Sequence, residues 1–282
     1  MTPELRNCPI CHVSHSTISD FSREGWTLKT CDATGMLYLE NAPAYEALES
    51  QYAFEITFEQ ERKRRNLAEP RWSRLSTGVK VLRRLLFPNR NKFLDLARAT
   101  WIRAGKPSPF KILDVGCGLG GIAEKIHSGL LVKGADVVPY GIEVSLESSR
   151  ISSAIFQRLG GTVVNKPAIE GIAALKGHSF HCVILSSYLE HETRPFDVLS
   201  GVRDCLSDRG QALIKLPNFS CWNRVLRGKR WCGFRFPDHV NYFTPRSLRQ
   251  IVSMAGLKVN RMNPIDRLPF SDNMYLTAGT RS

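Results

Sequence analysis

The chain has 282 residues, 43% hydrophobic and 23% charged, which suits a globular protein with a sizeable core and excludes a coiled coil, a collagen or a disordered tail. No apolar run approaches the ~20 residues of a membrane-spanning helix, and the opening Met1-Thr2-Pro3-Glu4-Leu5-Arg6 lacks the charged-then-apolar profile of a secretory signal, so a cytoplasmic location is expected. The formal charge of +13 is uneven: Glu61 to Lys92 carries eleven Lys/Arg against two Glu, Trp222 to Arg249 carries seven against one Asp, and the rest is near balance.

Residues 1–40 hold turn residues, short strand-like pieces and a close cysteine pair, Cys8-Pro9-Ile10-Cys11. That spacing suits a zinc knuckle, and Cys31 lies twenty residues on. A complete ribbon would have a second C-x2-C pair; here Thr34 stands at the fourth position, followed by Gly35. Cys8, Cys11 and Cys31 are thus metal candidates if zinc is retained, in a structural role, with His12, His15 or Asp32 to complete the set. The other reading is that the metal has been lost and the loop persists. The five remaining cysteines are small core residues by default.

Residues 41–109 read as a helical, basic segment and linker, ending at the breaker Lys106-Pro107-Ser108-Pro109. Val79, Leu82, Leu85 and Leu86 share one helical face, with Lys80, Arg83 and Arg84 off it. Such a helix packs its leucines on a neighbouring domain or lies on an anionic membrane surface.

Residues 110–282 alternate short apolar runs with helical stretches. Strands are expected at Phe110–Val115, Val137–Glu143, Thr162–Val164, Phe180–Leu185 and Gln211–Leu216, with helices from Gly121, over Ser145–Leu159 and over Pro195–Leu206. This alternation predicts an α/β, Rossmann-like fold with a parallel sheet and helices on both faces. Asp114-Val115-Gly116-Cys117-Gly118-Leu119-Gly120-Gly121 follows the first strand and opens a helix. Glycines there let the backbone turn sharply and approach a ligand. Glu143 ends the next strand, where a carboxylate accepts hydrogen bonds from ribose hydroxyls. An acid at Asp114 suits a ligand with an ammonium or sulfonium group better than a pyrophosphate.

Ile112 to Gly120 resembles the first motif of class I S-adenosylmethionine-dependent methyltransferases. Gly141-Ile142-Glu143-Val144-Ser145 resembles their ribose-holding segment. Tyr188-Leu189-Glu190-His191, Leu206 to Leu213, Leu216-Pro217-Asn218 and Asp238 to Leu248 resemble one broad subgroup with an "LEH" after the fourth strand. The resemblance spans about residues 110–262 and implies the class I sheet, its last two strands partly antiparallel. It also implies S-adenosylmethionine as cofactor, held by Asp114, Gly116, Gly118 and Glu143. The subgroup usually has an acid near the adenine after the third strand; this chain has Val164-Asn165-Lys166-Pro167 there, so adenine recognition falls to Asn165 or to backbone groups.

Methyl transfer to a hydroxyl needs a group to take the acceptor's proton, and histidine is the natural candidate near neutral pH. His191, after the fourth strand, is the first choice and His239 the second; His181 begins a strand and reads as structural. Capping a helix or satisfying a buried backbone group is the other reading of His191 and His239. Cys221 to Phe236 interleaves aromatics with arginines, fit for a nucleotide-linked or lipid-linked sugar, for RNA, or for a lid with an apolar core. The expected function is methyl transfer to a hydroxyl of a small molecule, sugar or glycan intermediate. RNA methylation through the basic stretches and a non-catalytic binding module are the alternatives.

Overall fold

The computed structural model describes residues 5–23, 25–43, 92–262 and 272–280. The amphipathic stretch around Val79 to Leu86 lies outside the described residues. No helix among the described residues is long and apolar enough to cross a membrane.

The central strand is β4 (Phe110–Val115). Phe110, Ile112, Leu113 and Val115 are all buried, the signature of a strand covered on both faces. It pairs in parallel with β5 (Val137–Ile142) on one side and β7 (Phe180–Ser186) on the other. Beyond β5 lies β6 (Thr162–Val164), and beyond β7 lies β8 (Leu206–Pro217), both parallel. The sheet closes with β11 (Asn273–Thr280), antiparallel to β8, and β10 (Leu257–Met262), antiparallel to β11. The order is β10-β11-β8-β7-β4-β5-β6. Three helices, α1 (Lys92–Arg103), α2 (Gly121–Leu131) and α3 (Leu146–Arg158), share one apolar core through Trp101, Ile126 and Phe156. The other core takes Ile172, Val198 and Ile251 from α4 (Ala168–Ala174), α5 (Pro195–Cys205) and α7 (Pro245–Met254). Helices therefore cover both faces, as the alternating pattern requires.

The fifth strand begins earlier than its apolar run. Phe180 pairs with Leu206 and Cys182 with Gln211, so residues 207–210 bulge outward opposite a single residue of β7. Arg209 takes a φ of 60° there, and a Cβ at Gly210 would lie 2.8 Å from Ser207 O. The bulge is the physical form of the turn expected at Leu206–Leu213.

The amino-terminal strands β1 (Ser16–Ile18), β2 (Leu28–Cys31) and β3 (Leu37–Leu39) form a second, antiparallel sheet. Its fourth member, β9 (Asn241–Tyr242), comes from the far side of the large sheet's fifth strand. Leu37 pairs with Tyr242 and Tyr38 with Asn241. Arg6 strengthens the join. Its guanidinium donates to the carbonyls of Leu39, Val240 and Thr193 and to Asn241 Oδ1, at 2.9–3.3 Å.

Candidate active site

β4 and β5 end side by side, and the chain must turn at both ends. After β4 the turn runs through Gly116, Gly118 and Gly120, with φ of 68°, 52° and 80°. Residues other than glycine are strained in this region. A Cβ at Gly118 would meet nothing within 4 Å, so the loop leaves room for a ligand, whereas one at Gly116 would lie 2.5 Å from the Tyr188 ring. Glu143 braces the turn: one carboxylate oxygen accepts from Gly118 N at 2.7 Å, the other from Ser145 N at 2.9 Å. Ser145 also caps α3, accepting from Ser148 N.

Asp114 is the penultimate residue of β4 and is only 1% exposed. Its Oδ2 is buried without a hydrogen-bond partner. Burial, with the charge of Glu143 added, pushes its carboxyl well above the usual range. Asn165 is exposed, and its amide nitrogen donates to the carbonyls of Glu143 and Val144, both at 2.8 Å. It thus holds the end of β5 in place.

On the neighbouring strand, β7 runs into a loop that begins at Ser187, with φ 54°. Tyr188 packs on Gly116 and donates to Glu192 Oε2 at 2.7 Å. Two histidines meet past it. The rings of His191 and His239 are 4.7 Å apart and nearly perpendicular, at 87°. His191 Nδ1 lies 2.8 Å from Asp238 Oδ1 and 3.0 Å from Asp238 O; His239 Nδ1 lies 2.9 Å from Gly233 O. Burial disfavours charge on both rings, and Asp238 outweighs it at His191, whose pKa is raised. At His239 burial wins, helped by the charge of His191, and the pKa falls well below the usual value. Asp238 lies at about 2: burial alone would raise it, but His191, His239 and Arg235 pull it down. Arg235 pairs with its other oxygen at 2.8 Å. Glu190, Asp238 and Tyr188 were not picked out by sequence reasoning. The "LEH" run contains Glu190 and directly follows Tyr188, but the approach of Asp238 across 47 residues has no local signature.

His181 is structural, as its strand position suggested: its Nδ1 accepts from Lys111 N at 3.1 Å. The aromatic-rich stretch is mostly core. Trp231 and Phe234 are buried against Leu28, Leu37 and Leu39 of the small sheet. Arg224 stacks on Phe219 at 4.5 Å. What remains exposed is the short helix α6 (Trp222–Arg227), with Leu226 81% exposed, and the Lys229–Arg230 pair after it.

The three amino-terminal thiols converge. The sulfurs of Cys8, Cys11 and Cys31 lie within 4.8 Å of one another, with Cys11 and Cys31 at 3.5 Å. Thr34 Oγ1 is 3.4 Å from Cys8 Sγ. Burial raises both Cys11 and Cys31; hydrogen bonds from Thr34, Cys11 and Cys8 outweigh it at Cys31, which falls to about 7, while Cys11 stands at about 11. Such a set suits three of four positions around tetrahedral zinc. Among the described residues the cluster stops at three. His12 is turned edge-on to Phe196, and Asp32 accepts from Thr17.

A sheet in this order, a glycine turn after its central strand and an acid ending the next define a class I S-adenosylmethionine-dependent methyltransferase. Residues 80–261 match the family model described as a methyltransferase domain, and the chain belongs to that family. In fold it is similar to an S-adenosylmethionine-dependent methyltransferase from Clostridium acetobutylicum, with a TM-score of 0.51 and 11% identity over 74% of this chain and 99% of that one. A TehB-like methyltransferase from Corynebacterium glutamicum gives 0.47 and 15% over 74% and 99%. Magnesium protoporphyrin IX methyltransferase from Synechocystis, solved with bound SAH, gives 0.47 and 17% over 73% and 95%. No curated protein matches the sequence. The residues present fit the cofactor: the orphaned oxygen of Asp114 suits a cationic group, and Gly118 opens onto free space.

Proposed function

We propose that the protein transfers a methyl group from S-adenosylmethionine to a hydroxyl of a small molecule, sugar or glycan intermediate in the cytoplasm. The donor supplies an electrophilic methyl on a sulfonium. The chain's part is to hold donor and acceptor in line, exclude water and help the hydroxyl lose its proton. Asp114 faces the donor's ammonium. Two backbone bonds fix the Glu143 carboxylate after β5, where it accepts from the ribose hydroxyls. Asn165 holds the backbone of Glu143 for this contact.

The observation that carries the hydroxyl reading is the His191–His239 pair. It sits past Tyr188, which itself lies on the cofactor turn at Gly116. The acceptor hydroxyl is activated at this cluster. Structural zinc at Cys8, Cys11 and Cys31 belongs to the same reading, since that cluster carries no feature of an active site.

The test is calorimetric titration of S-adenosylhomocysteine into wild type and Glu143→Ala, followed by methyl transfer assays on a panel of sugars, lipid-linked glycans, small hydroxyl compounds and RNA. Micromolar binding lost in the variant, with label entering a hydroxyl compound, supports the proposal. Failure to bind the donor, or label entering RNA alone, overturns it. RNA binding would fall steeply with salt, which identifies that outcome independently.

A further inference from the structure

We propose that Glu190, His191 and His239 form a divalent metal site on the acceptor side of the sheet, separate from the cysteine cluster. One carboxylate oxygen of Glu190 and one ring nitrogen of each histidine lie within 4.8 Å of one another. Bonds of ~2.0–2.2 Å to a shared ion set neighbouring ligand atoms roughly 3–3.5 Å apart, a closure within reach of side-chain rotation.

The orientation of the rings points the same way. His191 Nδ1 is aimed at Asp238 and His239 Nδ1 at the Gly233 carbonyl, at 2.8 and 2.9 Å. In the neutral rings those partners fix the proton on Nδ1 and leave the lone pair on Nε2. An imidazole whose one nitrogen donates to a carboxylate or carbonyl is oriented for a metal at the other. Asp238 is itself anchored by Arg235 at 2.8 Å.

Glu190 supplies the independent observation. It is 2% exposed, and its Oε2 is buried with no hydrogen-bond partner. No lysine or arginine among the described residues forms an ion pair with it; the charge of the nearby Lys215 favours its ionised form, while the Lys215 ammonium donates to Ser187 Oγ at 2.7 Å. The backbone carbonyl of Glu190 is pinned by Val240 N and Asn241 N, at 2.8 and 3.1 Å. A rigid loop therefore holds a buried, unpartnered carboxylate oxygen beside two oriented imidazoles, and a cation there satisfies that oxygen.

Two imidazoles and one carboxylate suit a first-row divalent ion and leave coordination positions open. Resting on the methyltransferase reading, those positions take the acceptor's oxygen and lower its pKa. The hydroxyl proton then goes to solvent water. The oxygen's electron pair makes the new O–C bond, and the pair of the broken S–C bond stays on sulfur.

The probe is Mn2+, which thiolates bind poorly, titrated into the full chain and followed by the loss of its free-ion paramagnetic resonance signal. One Mn2+ per chain at micromolar affinity is expected. Asp238→Asn, which loosens the support of His191 and the Arg235 pair but removes no ligand, should weaken it roughly 10–100-fold; Glu190→Gln and His239→Gln should abolish it. Glu190→Gln preserves shape, so it carries the test if His239→Gln fails to fold. No binding at millimolar Mn2+, or binding unchanged in Glu190→Gln, overturns the site. S-adenosylhomocysteine is titrated into the same samples. Mn2+ bound without it keeps the metal site and removes the methyltransfer reading; the converse overturns the metal site alone.

Discussion

Asp114 and Glu143 stand at the ends of adjacent strands, yet the fold satisfies them differently. Each Glu143 oxygen has a backbone N–H, while Asp114 Oδ2 is buried with none. Burial and the facing charge of Glu143 raise the Asp114 pKa; the thiols of Cys117 and Cys182, also pushed up by burial, lie in its field. A carboxyl with a raised native pKa stabilises the fold below the unfolded carboxyl range and loses that contribution as pH rises through its native value. A bound cation favours the ionised form. S-adenosylhomocysteine affinity should therefore rise with pH until the native Asp114 value is passed, with proton release visible as a dependence of the binding heat on buffer. Asp114→Asn should flatten this profile and weaken binding, while raising the melting temperature of the ligand-free protein at neutral pH. A variant that binds as wild type at every pH would contradict the assignment. On the proposed ribose contact, Glu143→Ala removes two charged acceptors at about 1.5 kcal/mol or more each, so calorimetry should show a loss of roughly 100-fold or more.

At the scale of elements, the turn after β4 and the loop after β7 meet where Tyr188 rests on Gly116. Gly116→Ala places a methyl 2.5 Å from that ring and strains a backbone already at φ 68°. Tyr188 must move, taking its bond to Glu192 with it. The expected result is weakened S-adenosylhomocysteine binding and a lower melting temperature together; Gly118→Ala, with open space around its Cβ, should weaken binding by contact with the ligand and cost less stability. The strand–glycine–helix unit was legible in the sequence because its signals are local: an apolar run, glycines at the turn, an acid at the next strand's end. The 207–210 bulge was not, since its cause is pairing with β7 on either side of it. Nor was the commitment of the Asn165 amide to two carbonyls, which depends on where β5 ends. His191 and His239 were singled out one by one. Their perpendicular contact depends on Asp238 and Gly233, whose positions only the folded chain determines.

Across the whole molecule, the small sheet is more than an appendage. Its third strand pairs with β9, and the β9 segment holds the loop after β7, the proposed acceptor loop: Asn241 Nδ2 donates to the carbonyls of Leu189 and Glu192, at 2.8 and 2.6 Å. Arg6 ties the pieces at one point, reaching β3, β9 and Thr193 together. Burial lowers its pKa only to about 10, with Glu192 opposing the shift, so it stays charged at neutral pH. Arg6→Ala would strip partners from three carbonyls and an amide oxygen, a loss of about 3 kcal/mol, or a fall in melting temperature of roughly 5–10 °C for a chain of this size. The donor turn is built by β4, β5 and their own glycines, remote in the chain from this join. S-adenosylhomocysteine affinity well below the melting range should therefore hold in Arg6→Ala, while the Michaelis constant for the acceptor rises. If donor binding collapses along with stability, the amino-terminal sheet supports the whole domain; if neither changes, the four hydrogen bonds of Arg6 do not bear on the acceptor loop.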